Sequence, residues 1–196
     1  MITIEQVKKL RDKTGISIMQ CKKALEEADG NMEKAKIILR KKSGIIADKK
    51  ISRELKAGAV NAYIHNSGDI AAIVLLSSET DFVAKNEEFV KLAYDIAMHI
   101  AAMNPSFIKK EDITEDEINN AKEVFIKETK DKPKEMKEKI LQGKIDSYFK
   151  DKILLEQPFI KDPNSTIKDI IKSATQKFGE RIEVSTSQDF RSEDNI

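Results

Sequence analysis

At residue 57 the apolar pattern of this 196-residue chain changes period. Before it, apolar residues recur three and four apart, as on one face of a helix. After it, Ala59-Val60-Asn61-Ala62-Tyr63-Ile64-His65 alternates, Asn66-Ser67-Gly68-Asp69 is turn chemistry, and Ile70 to Leu76 is a β-rich apolar run. Helices in one stretch and a hairpin in the next define an α+β chain. The apolar run predicts that the second strand is central in its sheet.

The helical stretch divides into three. Thr3 can cap a helix bearing Ile4, Val7 and Leu10, ending near Thr14-Gly15. Ser17 can cap a second with Ile18, Cys21, Leu25 and Ala28, stopped at Asp29-Gly30. Asn31 can cap a third with Met32, Ala35, Ile38 and Leu39 facing inward. A bundle this small is marginal alone and is expected to present an apolar edge to a partner. Residues 43–56 read as a charged linker, partly helical, which gives an N-terminal domain over 1–42 and a core domain over 57–196.

Within the core, Phe89, Leu92, Ala93, Ile96, Ile100 and Met103 form the stripe of a strong helix. Thr114 and Glu117 are spaced as a capping box, ahead of Ile118, Ala121, Val124 and Phe125. Pro133 is read as starting a helix towards Gly143, with a further short helix around Ile145, Tyr148 and Phe149. Pro158 and Pro163 bracket a loop, Thr166 opens a helix closed by Gly179, and Ile182 and Val184 begin a last strand. The expected core is therefore a small antiparallel sheet of three strands packed by helices.

Charge is balanced overall, 35 Lys+Arg against 34 Asp+Glu, and uneven along the chain. Residues 1–56 carry 15 basic and 8 acidic side chains, whereas residues 57–104 carry 2 and 6. The basic head has no aromatic residue on which a base could stack, so a lysine-rich solvated face outweighs nucleic-acid binding there. No apolar run approaches the ~20 residues of a membrane-spanning helix. The charged N-terminal segment does not read as a secretory leader. One cysteine permits no internal disulfide, and a cytoplasmic location is expected.

Little in the chain suggests reaction chemistry. His65 and His99 lie on a strand and a helix without ligand-spaced neighbours, and Cys21 sits on an inward stripe. No phosphate-cradling glycine loop or hydrolase motif occurs, so neither an enzyme nor a bound cofactor or metal is expected. The segment Thr80-Asp81-Phe82-Val83-Ala84-Lys85-Asn86 stands apart. Thr80 or Asp81 is well explained as a helix cap. Phe82 is not, because an aromatic at a solvent-facing tip loses its burial unless another surface covers it. The residues themselves point to a protein-binding wedge.

Three separated motifs, in order, resemble the bacterial elongation factor Ts family. They are Leu10-Arg11-x-x-Thr14-Gly15 with Met19-x-Cys21-Lys22-Lys23-Ala24-Leu25 and Gly30-Asn31; Thr80 to Asn86; and Gly143-Lys144 with Leu154-Leu155-Glu156-Gln157-Pro158-Phe159-Ile160-Lys161-Asp162. The resemblance implies a ubiquitin-associated-like (UBA-like) N-terminal bundle, with Arg11, Met19 and Lys22 contacting the partner, elongation factor Tu. It also implies that Thr80, Asp81, Phe82 and Val83 dislocate Mg²⁺ from that GTPase and promote GDP exchange, with Asp81 and Phe82 at the tip. Gln157-Pro158-Phe159 matches a further family segment with a contact role. Longer members carry a second core copy, which this chain has no room for, so it is similar to short forms that dimerise through the core. With Cys21 its only thiol, no disulfide can cross that interface. The alternative function is a non-catalytic RNA- or ribosome-associated binding protein.

Overall fold

The computed structural model describes residues 2–128 and 134–192. Three helices come first: α1 (Ile4–Thr14), α2 (Ile18–Glu27) and α3 (Met32–Asp48). Each begins at the expected cap, Thr3 in a full capping box with Gln6, then Ser17 and Asn31. Gly15 ends α1 at φ 67° and Gly30 follows α2 at φ 79°, in the left-handed region where a side chain would be strained. Val7, Leu10, Ile16, Cys21, Ala24, Leu25, Ala35 and Leu39 form the buried centre of this bundle. Ile4 and Ile18, expected inward, are exposed instead. They lie at the first helical position of α1 and α2 and line one shallow groove on the bundle surface.

The third helix continues through much of the stretch read as linker, to Asp48. Ser43 and Gly44 lie within this continuation, on the side where α3 meets the core. Ser43 is buried, its hydroxyl donating to the Arg40 carbonyl at 2.7 Å. A Cβ on Gly44 would lie 3.6 Å from Nζ of Lys172, on the core helix against which α3 packs. Small side chains here let two helix backbones approach.

The larger sheet of the core is antiparallel, ordered β1 (Ala57–Ile64), β2 (Ile70–Ser78), β5 (Glu183–Arg191), with β2 central as the sequence predicts. Val60 pairs with Leu75 and Ala71 with Phe190, and the β2–β5 register shifts at Leu75/Leu76. One face is covered by α5 (Glu87–Met103), which follows the single turn α4 (Asp81–Ala84), and by α8 (Ile167–Phe178). Phe89 and Phe178 meet edge to face at 5.7 Å within this core. Met103, assigned to the inward stripe, is exposed in the last turn.

Two further expectations are corrected. After α6 (Glu115–Glu128), one helix, α7 (Lys134–Lys150), runs straight through Gly143 instead of two short ones. Nothing lies within 4 Å of a Cβ at Gly143, so that glycine faces open space. The helix continues because Ile145 and Phe149, beyond it, are buried beside Ala121 and Ile153. Pro133, read as its start, lies outside the described residues. The segment between Pro158 and Pro163 is a small hairpin, β3 (Pro158–Phe159) with β4 (Asp162–Thr166), rather than a loop. Prolines are admissible there because a two-stranded ribbon has only edges.

Candidate functional site

Strand β2 leaves the sheet at Ser78 and α4 begins three residues later. Thr80 is the N-cap, extended at φ −127°, ψ 156°, and its hydroxyl oxygen accepts from Val83 N–H at 3.5 Å. The turn that follows divides its side chains. Val83 and Ala84 are buried, whereas Phe82 leaves 81% of its surface exposed. Asp81 pairs with Lys85 one turn on, at 2.8 Å, and the lysine's hydrogen bond and charge hold the aspartate carboxyl below its ordinary range. The tip thus presents an aromatic ring and a carboxylate, while Thr80 and Val83 fasten it to the body.

A second carboxylate, missed by sequence reasoning, fastens the same turn from across the fold. Glu180, just past α8, accepts from the backbone N–H of Glu79 at 3.1 Å and of Thr80 at 3.0 Å, and from the Thr80 hydroxyl at 2.6 Å. Glu79 reciprocates, accepting from Arg181 N–H at 2.6 Å and from the Arg53 guanidinium at 3.1 and 3.2 Å. Burial pushes the Glu79 carboxyl up, but the Arg181 amide and the Arg53 guanidinium offset this and leave it below its ordinary value. Arg181 closes the circuit on the carbonyl of Arg53 at 2.7 Å. The contacts join residues from 26 to 128 positions apart, and no local spacing signals them.

The other predicted site residues lie in the N-terminal bundle. Arg11 and Lys22 line one shallow groove of about 390 Å³ with Ile2, Ile4, Val7, Lys8 and Ile18. Met19 is exposed next to Ile18. This groove and the Phe82 tip are separate surfaces, the first on α1 and α2 and the second on α4. Gln157 is buried, accepting from Nε2 of His99 at 2.9 Å, and Phe159 is buried beside the same ring. His99 Nδ1 accepts from Ile160 N–H at 3.4 Å, which assigns the neutral tautomer with the proton on Nε2. Burial pushes this imidazole's pKa down. Cys21 is likewise buried, and burial raises its thiol.

Among the described residues, no helix covers the outer face of the sheet. Val60, Ile64, Ile73 and Phe190 are exposed on it, the first two at 68%. Among the described residues, no group of three or more His, Cys, Asp or Glu side chains could hold a metal ion. No helix there is long and apolar enough to cross a membrane.

These features define an α+β protein with a helical N-terminal region and a core whose exposed aromatic is carried on a braced turn. The family model described as Elongation factor TS matches residues 36–191. Proteins named Elongation factor Ts are similar over nearly the whole chain. That of Thermodesulfovibrio yellowstonii is 50% identical over 184 residues, 93% of this chain and 92% of its own. Those of Coprothermobacter proteolyticus and Thermotoga maritima are 44% and 45% identical, covering 93% and 94% of this chain and 94% and 92% of theirs. The chain belongs to the elongation factor Ts family.

Proposed function

We propose that this chain is the guanine-nucleotide exchange factor for elongation factor Tu: it binds the GDP-bound GTPase, dislocates Mg²⁺ and promotes GDP release so that GTP can bind. Membership in the elongation factor Ts family supports a role in translation elongation. The single observation that carries the finer reading is the exposed ring of Phe82 on an otherwise anchored turn.

An exchange factor performs no covalent chemistry. It binds the nucleotide-free partner more tightly than the GDP-bound one, and linkage then weakens GDP by the same factor. A coupling of about 4 kcal/mol corresponds to roughly a thousandfold. An aromatic filling a pocket at an interface contributes a few kcal/mol as a hot spot, so Phe82 is of the right size. Its ring enters between helices of the GTPase and displaces the elements that hold Mg²⁺ against the β-phosphate. Asp81 fixes the tip by accepting hydrogen bonds from the partner; a carboxylate beside phosphate could not replace the lost cation. Thr80 and Val83 act from behind, holding the turn.

Arg11, Met19 and Lys22 form the second contact, on an N-terminal UBA-like domain over residues 1–42, joined to the core domain 57–196 through 43–56. Their exposed apolar and basic side chains suit a partner surface with apolar and acidic groups. The uncovered sheet face supports a homodimer through the core, because contiguous exposed apolar strands are costly in water. The deciding experiment mixes the protein with GDP-loaded elongation factor Tu and follows release of labelled GDP. Acceleration at substoichiometric protein supports exchange; unaccelerated release alongside tight RNA retention on filters favours the RNA- or ribosome-binding alternative.

A further inference from the structure

We infer that Glu180 is the positioning residue for the Phe82 tip, acting through Thr80; the inference rests on the exchange reading above. At the end of β2 the chain leaves its hydrogen-bonding ladder, and the N–H groups of Glu79 and Thr80 need other partners. Both find the same oxygen of Glu180, while its second oxygen takes the Thr80 hydroxyl. A carboxylate accepting three donors is a strong, directional clamp, since charge-assisted bonds are shorter and about twice as strong as neutral ones. Thr80 is also the N-cap of α4, whose second residue is Phe82. Fixing the φ, ψ and hydroxyl of the cap therefore fixes the direction in which the ring leaves the protein.

Glu180 is itself held. It follows Gly179, the left-handed cap of α8, whose carbonyl accepts from Lys50 Nζ at 2.7 Å. The neighbouring Arg181 is tied to Glu79 and to the Arg53 carbonyl. The clamp thus sits immediately past the end of α8, the helix against which α3 packs.

The chain has no tryptophan, so Phe82→Trp places a single indole at the tip. Its anisotropy in the free protein reports tip order without reference to any partner. In that background, Glu180→Gln and Thr80→Val are each expected to lower the anisotropy. With Phe82 native, the same two substitutions are expected to lower the maximal rate of GDP release by about tenfold, the size of one lost charge-assisted hydrogen bond. The half-saturating concentration should move less, because the N-terminal contact is untouched. Thr80→Val keeps the β-branched shape but also removes the cap bond from Val83 N–H, so Glu180→Asp, which leaves that cap intact and shortens the carboxylate's reach, decides the matter with the same falls expected should Glu180→Gln not fold. Unchanged anisotropy and an unchanged maximal rate, with only a lower melting temperature, would overturn the inference and leave Glu180 a stabilising residue. Failure of the unsubstituted protein to accelerate GDP release would instead overturn the exchange reading, and the anisotropy would still judge the clamp.

Discussion

Phe82 and Val83 are consecutive residues of one helical turn, and they face opposite environments: the ring is 81% exposed and the valine 5%. One residue contacts whatever lies outside, and the next secures the turn to the core.

Substituting Phe82→Ala should therefore separate activity from folding. A surface change of this kind stays within about 0.5 kcal/mol of stability. The melting temperature should move by no more than about 2 °C in a domain of this size. Stimulated GDP release should fall by at least tenfold, as for a truncated hot spot worth about 2 kcal/mol. Calorimetry and labelled-GDP release on the same preparation check both.

Val83→Ala should behave in the reverse manner. Removing two buried carbon atoms costs about 1–2 kcal/mol through lost transfer energy and the cavity left behind. Denaturant unfolding should register this, while exchange measured well below the melting temperature falls by less than in Phe82→Ala.

His99 predicts a pH dependence of stability. Buried against Gln157, and with Nδ1 occupied by the Ile160 amide, it is held neutral, so its folded pKa lies below the unfolded one, near 6.5. Below the unfolded value the denatured chain binds a proton that the native chain does not, so stability falls as pH drops from about 6.5 towards the folded pKa. Melting temperatures between pH 7.5 and 5 should show this loss, and His99→Gln should remove most of it.

The sheet face makes a prediction about assembly. Val60→Lys places a charge on an exposed position of β1, where the monomer pays little for it. If two copies join through this face, sedimentation should shift from dimer to monomer while the melting temperature of dilute protein barely changes. A protein that remains dimeric would assign the contact to another surface.

Association should also respond to salt. With 15 basic and 8 acidic side chains in residues 1–56, the on-rate for the partner should fall as ionic strength rises. Stopped-flow rates from 50 to 500 mM salt test this, and Arg11→Ala should flatten the slope.

Local patterns were legible wherever a residue and its consequence lie close in sequence. The caps Thr3, Ser17, Asn31 and Thr166 act within one turn, and the alternation of residues 59–65 fixes which side chains point inward. The exposure of Phe82 followed from an aromatic in a capping segment. Distant pairings were hidden. Glu180 carries no local signature, and its significance arises only when the end of α8 meets the end of β2. The extent of α3 was hidden for the same reason: residues 43–48 carry little periodicity of their own, and the helix continues where it packs against α8. The hairpin at Pro158 was obscured because proline usually argues against a strand, whereas both of its strands are edges.

Helix α8 packs against α3 of the N-terminal bundle and leads directly into the carboxylate that grips Thr80. Gln176 and Gln20 bond at 3.0 Å across the same junction. The two candidate contact surfaces are consequently held at a set separation, like the jaws of a calliper. The conformational entropy of aligning them is lost when the chain folds and is not charged again at each encounter. Loosening that junction would slow productive engagement even though no residue touching the partner had changed.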